Sequence, residues 1–250
     1  LTLGESAWVH ARRLGEEVLS LLAPLECASC SSGIEGGVFC ETCALGLCEC
    51  DPAVCAACPA PVAARGLCHA CRARLAPLDG VVCAYEYASP LSETIAKMKY
   101  EGHDELAEPL GSCLQSGLRN RLMPSPDTLL LAVPLHDRRL RARGFDQGWL
   151  LTRGFRSALP RPRPIALARL LQRTRDTTPQ VGLGRRARER NLAGAFRVES
   201  GSSGARISGR DVVLIDDVLT TGATLRAAAE ALHDAGARTV LGVTLARALT

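Results

Sequence analysis

Val212-Val213-Leu214-Ile215-Asp216-Asp217-Val218-Leu219-Thr220-Thr221-Gly222-Ala223-Thr224 is the stretch whose reading decides the fold of this chain. Four apolar residues, three of them β-branched, read as a buried strand. Two adjacent carboxylates stand at its expected carboxyl end, and a run of Thr and Gly then opens an Ala-rich helix. An ordinary strand–turn–helix uses one acid as a cap and asks for no second. Turn amides and a helix N-terminus attract phosphate. Thr220, Thr221 and Thr224 add hydroxyl donors, and Gly222 lets the backbone come close. Carboxylates only accept hydrogen bonds, which suits a ribose diol. The order of residues therefore describes a sugar-phosphate site.

Outward from this stretch, strands and helices alternate. Strands are expected at Val81–Tyr87, Leu129–Val133, Ala195–Val198 and Val240–Leu245. Helices are expected around Leu91–Tyr100, Leu106–Leu122 and Gly144–Ala158, with a linker at Arg72–Pro77, a short strand or helix ending at Leu171, and a turn at Gly201–Gly204. This alternation implies an α/β fold, a parallel sheet flanked by helices. Ligands in such sheets bind beyond the carboxyl ends of the strands. A second constellation also follows a buried strand: Val133-Pro134-Leu135-His136-Asp137-Arg138-Arg139-Leu140-Arg141-Ala142-Arg143-Gly144-Phe145-Asp146-Gln147. A loop with four arginines at a strand's end can hold a polyanion, and the alternative for this segment alone is a solvated basic turn before a helix. Beside the Asp216 stretch, its arginines face one anionic ligand from a neighbouring strand end. Gln172–Asn191 is Arg-rich, weakly patterned and expected to be a loop.

Ten of the twelve cysteines fall between Cys27 and Cys71. Eight form four C-x-x-C knuckles, Cys27/Cys30, Cys40/Cys43, Cys55/Cys58 and Cys68/Cys71, and the pattern repeats after 28 residues. Two knuckles complete a tetrahedral Zn²⁺ site, so tandem zinc ribbons are expected. Sequential pairing is the simpler arrangement, and interleaved pairing stays open. A disulfide framework needs an export signal, and the first 25 residues interrupt their apolar pattern with Arg12, Arg13, Glu16 and Glu17. Cys48 and Cys50 read as spare thiols or substitute ligands, His69 as solvent-facing, Cys83 and Cys113 as core. The expected organisation is an amino-terminal helix over 1–26, a double knuckle module over 27–75 that depends on metal to fold, and an α/β domain over 76–250.

Hydrophobic content of 47% excludes a disordered chain. No apolar run reaches the roughly 18 residues of a membrane span. A cytoplasmic protein is expected, and Leu1 in place of Met suggests an alternative start codon or trimming. Net charge is only +4, yet Arg138–Arg190 carries 15 Arg against three acids. The whole chain has 28 Arg and two lysines, Lys97 and Lys99. Arg binds phosphate bidentately, which Lys cannot do.

The Asp216–Thr224 run resembles the phosphoribosyl-pyrophosphate (PRPP) signature of type I phosphoribosyltransferases. Together with the P-L-H-x-x-R-x-x-x-R-G-F-x-Q loop, the Arg173–Asn191 segment (R-T-x-x-T-x-P-Q, then Leu183, Arg186, Arg190 and Asn191) and the knuckles, nearly the whole chain from Cys27 to Arg247 is similar to the ComF family of competence-associated, phosphoribosyltransferase-like proteins. The resemblance implies that Asp216 and Asp217 hold the ribose hydroxyls and that Thr220, Thr221, Gly222, Ala223 and Thr224 cradle the 5′-phosphate. It implies that Leu135, His136, Arg138, Arg139 and Arg143 belong to a pyrophosphate loop, and that Arg173 and Arg175 begin a catalytic lid. Mg²⁺ would accompany PRPP. Two departures stand out: Asp146 where the family usually has Asn, expected to cap a helix or stay outside the ligand's reach, and Asp137 where Pro is common.

Transfer at the anomeric carbon of PRPP is the reaction this implies, with the lid excluding water. The acceptor is unnamed, since no base-recognition hood is visible. Two rival classes remain: a single-stranded DNA binder built on the zinc module and the Arg-rich face, and a PRPP-sensing regulator without turnover. Aromatics for base stacking are scarce in the basic span, namely Phe145, Trp149 and Phe155. Other competence or DNA-processing proteins are possible partners, and the sequence decides no oligomeric state.

Overall fold

The computed structural model describes residues 25–64, 66–118, 122, 124–125, 127–160, 166–175, 192, 194–198 and 202–248. The chain divides into two units, residues 1–46 and 47–250. In the smaller one, an antiparallel bridge between Glu26 and Gly33 closes the first knuckle. Cys40 then caps helix α1 (Glu41–Leu45), its thiol accepting from the Cys43 amide. The helix expected over 1–26 lies, up to residue 24, outside the described residues.

The larger unit repeats that knuckle geometry. Val54 bridges Pro61, and Cys68 caps α2 (His69–Leu75) with its thiol accepting from Cys71. The expected linker at Arg72–Pro77 is therefore corrected: Arg72–Leu75 is helical because Leu75, 1% exposed, is drawn into the core. From here five strands form one sheet: β1 (Gly80–Glu86), β2 (Leu129–Ala132), β3 (Ala166–Ala168), β6 (Asp211–Leu219) and β7 (Thr239–Arg247). Their order is β1-β7-β6-β2-β3, and every neighbouring pair is parallel. Two further strands, β4 (Leu171–Arg173) and β5 (Phe196–Val198), make a separate antiparallel pair. The helices are α3 (Leu91–Tyr100), α4 (Ala107–Leu118), α5 (Asp137–Arg143), α6 (Gln147–Ala158), α7 (Ser202–Ile207) and α8 (Ala223–Asp234). The expected α/β sheet flanked by helices is what forms.

Side chains alternate across a parallel strand, and the burial follows. Leu129, Leu131, Val212 and Leu214 join one core with Leu225, Ala228 and Leu232 of α8 and with Cys55, Cys71 and Leu75. Leu130, Val213 and Ile215 point the other way and are also buried, where α6 packs on β2 and β6. α4 and α6 pack backbone to backbone: a Cβ on Gly154 would overlap the Glu108 carbonyl oxygen.

Several boundaries move. β6 runs past the acidic pair because β7 pairs with it as far as Leu219↔Arg247, so Asp216 and Asp217 are inside the strand and not beyond its end. The basic loop after His136 is mostly helix α5, capped by the His136 ring and ended by Gly144 at φ 84°. α6 consequently starts at Gln147, with Asp146 capping it as expected, its Oδ1 accepting from the Trp149 amide at 3.1 Å. The turn expected at Gly201–Gly204 is helical over Ser202–Gly204, since α7 buries Ile207. Gln172 and Arg173 leave the expected loop for β4, held by the Phe196 and Arg197 backbone. Among the described residues no helix is long and apolar enough to cross a membrane.

Candidate functional site

β6 brings Asp216 and Asp217 to the carboxyl end of the sheet, with Asp217 the more buried of the two. The Asp217 backbone amide donates to Asp216 Oδ1 at 2.9 Å. Lys99, at the end of α3, donates to Asp217 Oδ1 at 2.6 Å, and Gln147 Nε2 reaches Oδ2 at 3.5 Å. Burial and, second, the Asp217 charge push the Asp216 carboxyl up to about 7, against the pull of Lys99 and Arg173. One carboxylate is thus neutralised by an internal cation and its neighbour is poised to gain a proton, so the pair is ready to exchange partners with an incoming polar ligand.

The chain then turns through Thr220–Gly222. Gly222 takes φ 77° and caps α8, which needs a residue without Cβ. The Thr221 hydroxyl accepts from the Ala223 amide at 3.4 Å. Below the loop, the N-terminus of a twelve-residue helix supplies positive partial charge.

The basic constellation stands beside it because β2 pairs directly with β6. Leu135 and His136 leave β2, and His136 bridges Arg173. Of the α5 arginines, Arg138 is exposed, while Arg139 and Arg143 are half-buried. Arg143 lies over the Tyr100 ring at 6.0 Å, and its Nη1 is buried with no hydrogen-bond partner among the described residues. Burial lowers its pKa, partly offset by the Asp217 charge. Arginine remains charged regardless, so this is a desolvated cation held near the acidic pair. Arg173 is buried in β4 with its guanidinium over Phe196 at 5.5 Å. Arg175 is exposed. The rest of the expected lid, 176–191, lies outside the described residues, but its two flanks meet: the Thr174 amide donates to the Ala195 carbonyl at 2.9 Å. A cavity of about 490 Å³ opens between the segment after β2 and the β3–β4 segment, lined by Pro134, His136, Trp149, Arg169, Arg173 and Thr174 among others, and neither the acidic pair nor the Thr220–Thr224 loop lines it. Arg169 sits over Trp149 at 4.2 Å.

Two cysteine quartets form, Cys27/Cys30/Cys40/Cys43 and Cys55/Cys58/Cys68/Cys71, each with its sulfurs within 4.8 Å of one another. The pairing is sequential. Cys30–Cys40 and Cys58–Cys68 sulfurs are 3.7 Å apart, close to the ~3.8 Å edge of a tetrahedral site with Zn–S of about 2.3 Å. Amide donors support the sulfurs: the Cys71 amide holds the Cys68 thiol down to about 7, and the Cys68 amide donates to Cys55 Sγ at 3.2 Å. The donor set fits a structural Zn²⁺ in each quartet. Cys48 and Cys50 belong to neither. They flank Glu49, which bridges Tyr85 of β1. His69 is exposed, Cys83 buried and Cys113 half-buried.

The sequence reading missed Lys99, Gln147 and Arg74, whose Nη1 donates to the Thr221 carbonyl at 2.7 Å. Lys99 did carry a signal: in a chain with two lysines and 28 arginines, a lysine marks a place for a compact charge.

The family model described as phosphoribosyl transferase domain matches residues 166–249. The chain is 36% identical over 171 residues to the DNA utilization protein YhgH of Shigella flexneri, covering 66% of this chain and 70% of that protein. It is 30% identical over 166 residues to competence protein F of Haemophilus influenzae, covering 65% and 70%. It is 31% identical over 165 residues to competence protein ComFC of Bacillus subtilis, covering 65% and 62%. The parallel sheet with its flanking helices fits a type I phosphoribosyltransferase fold.

Proposed function

Because this chain belongs to the ComF family, we propose that it binds PRPP with Mg²⁺ at the ends of β6 and β2 and transfers the phosphoribosyl group to an acceptor in a role linked to DNA uptake. One observation supports this reading: β6, which carries the acidic pair and leads into the Thr220–Thr224 loop, pairs directly in parallel with β2, which leads into the α5 arginines, so the three groups make up one candidate site at that end of the sheet. In it, Asp216 and Asp217 accept from the ribose hydroxyls and favour positive charge developing on the sugar. The Thr220–Thr224 amides and hydroxyls receive the 5′-phosphate. Arg143, already desolvated, and Arg138 and Arg139 take the negative charge that gathers on the departing pyrophosphate. Mg²⁺, when bound with PRPP, would supply further neutralisation of the same leaving group. Arg173 and Arg175 are the described residues of the expected lid, and they add positive charge beside the leaving group.

Zn²⁺ in the two quartets serves structure. Eight cysteine thiolates kept for metal support a reducing, cytoplasmic compartment. The relatives' printed names, DNA utilization and competence, support the DNA-linked setting. A second reading, single-stranded DNA binding, draws on the Arg169–Trp149 stack at the cavity.

The experiment is a thermal-shift titration with PRPP·Mg²⁺, followed by a screen of nucleobases and amines for pyrophosphate release. PRPP·Mg²⁺ raises the melting temperature, and Asp216→Asn with Asp217→Asn abolishes the rise. No shift in the wild-type protein would refute the PRPP reading. A shift without pyrophosphate release from any acceptor would leave a sensor in place of an enzyme. Loss of DNA binding at low salt would remove the second reading.

A further inference from the structure

We infer that the second cysteine quartet sets the shape of the Thr220–Thr224 loop through Arg74 and Leu75, so that metal occupancy there controls phosphate binding at the sheet end. The assignment rests on the reading of that loop as the phosphate receiver.

The chain of contacts is continuous and lies within the larger unit. Cys68 and Cys71 belong to the quartet and open α2. A metal ion pins both residues and therefore the direction of this short helix. Arg74 stands three residues after Cys71, on the same helical face. Its guanidinium holds two partners at once: Nη2 donates to Cys71 Sγ at 3.4 Å, and Nη1 donates to the Thr221 carbonyl at 2.7 Å. One rigid fork thus ties a metal-ligand sulfur to the backbone of the phosphate loop. Lysine, with one nitrogen, cannot span both.

The second contact is steric. Leu75 is 1% exposed and fills the space beneath Gly222, where a Cβ would come within 2.7 Å of Leu75 Cδ2. In the trans peptide between Thr221 and Gly222, the carbonyl and the N–H point in opposite directions. Turning the Thr221 carbonyl toward Arg74 turns the Gly222 N–H away from it, out of the face packed on α2. Arg74 and Leu75 together select the peptide orientation, and Gly222 at φ 77° accommodates it. Arg74 touches no substrate atom in this scheme. It is a positioning residue acting through the Thr221 carbonyl.

The test uses the full zinc-loaded chain and the variant Arg74→Met, which keeps the apolar stem and loses both donors. Zinc content, hydrogen exchange of the loop peptide and PRPP·Mg²⁺ affinity are measured side by side. The variant should retain two zinc ions, exchange the loop amides about tenfold faster, and bind PRPP·Mg²⁺ about tenfold more weakly, roughly 1.4 kcal/mol. Wild-type exchange in a variant with full zinc overturns the inference. Exchange does not need PRPP, so a wild-type chain that ignores PRPP sinks the functional reading and leaves the coupling to be read on its own. Should Arg74→Met fail to fold, the second readout is the wild-type chain under graded chelation. Early loss of loop protection with β2 and β6 still protected supports the coupling. Simultaneous loss of both overturns it, because the quartet would then hold the whole unit and not the loop.

Discussion

Replacing Lys99 by Met removes an ammonium bonded to the acidic pair. Its nitrogen is 2.6 Å from Asp217 Oδ1, with the two side chains 18% and 8% exposed. At an effective dielectric of about 20, unit charges ~4 Å apart attract by ~4 kcal/mol. The ammonium regains hydration in the unfolded chain, which offsets part of this. Removing one partner of a buried pair leaves the other charge stranded and typically costs about 3–5 kcal/mol. The lower end applies here because Gln147 still donates to Asp217. A loss of about 3 kcal/mol corresponds to about 6–12 °C in melting temperature for a chain of this size. In the wild-type protein, burial lowers the Lys99 pKa, but the charge and hydrogen bond of Asp217 together with the Asp216 charge outweigh it, so the net shift is upward. The stability Lys99 contributes is therefore fully present at neutral pH and is lost only as pH rises through its raised folded value. In Lys99→Met the two carboxylates face each other without their bonded ammonium, and protonation of Asp216 relieves the repulsion. Urea denaturation followed by Trp fluorescence should show the deficit at pH 8 and a clearly smaller one at pH 5. A variant as stable as wild type at pH 8, or a deficit equal at both pH values, would refute the assignment of Lys99 as counter-ion.

Asp216 has a folded pKa raised from 3.8 to about 7 by burial and by Asp217; its share of stability is present below the unfolded value and is lost as pH rises through 7. Asp216→Asn should accordingly melt above wild type at pH 8 and show a flatter pH profile between 4 and 7 in thermal melts. Gly222→Ala should lower stability by about 1–2 kcal/mol from the left-handed conformation alone, with more from the clash with Leu75, read by denaturant titration; an unchanged midpoint would contradict the loop geometry. Cys55 is fully buried and its carbonyl accepts from Arg247 at 2.6 Å. Cys55→Ser should therefore remove one metal ion per chain by elemental analysis and broaden or lower the melt of the larger unit.

The candidate site was legible wherever chemistry is encoded locally. Asp216, Asp217, Thr220 and Gly222 are consecutive or nearly so, and one strand followed by one helix is enough to bring them together. The cysteine quartets were legible for a similar reason, since the 28-residue spacing reappears as matching bridges at Glu26–Gly33 and Val54–Pro61. Boundaries were less legible where tertiary contacts override local pattern. β6 continues through two carboxylates because β7 supplies a ladder on one side of them, which no periodicity of β6 alone reveals. Arg138–Arg143 forms a helix because His136 caps it and Gly144 ends it, a cap made by a residue type outside the usual N-cap set.

By itself, the sequence determined the parallel α/β class, the acidic pair with its Thr-Gly loop, and the two sets of four cysteines, because each is written in a contiguous pattern with its own period. Only the tertiary structure decided that Lys99 neutralises Asp217, that Arg143 holds a buried nitrogen within range of the Asp217 charge, and that Arg74 joins the second quartet to Thr221. Those pairs are separated by 118 residues for Lys99 and Asp217 and by 147 for Arg74 and Thr221. Such contacts depend on strand order, and strand order follows from which apolar faces can be buried together across the whole chain, so no local stretch contains it.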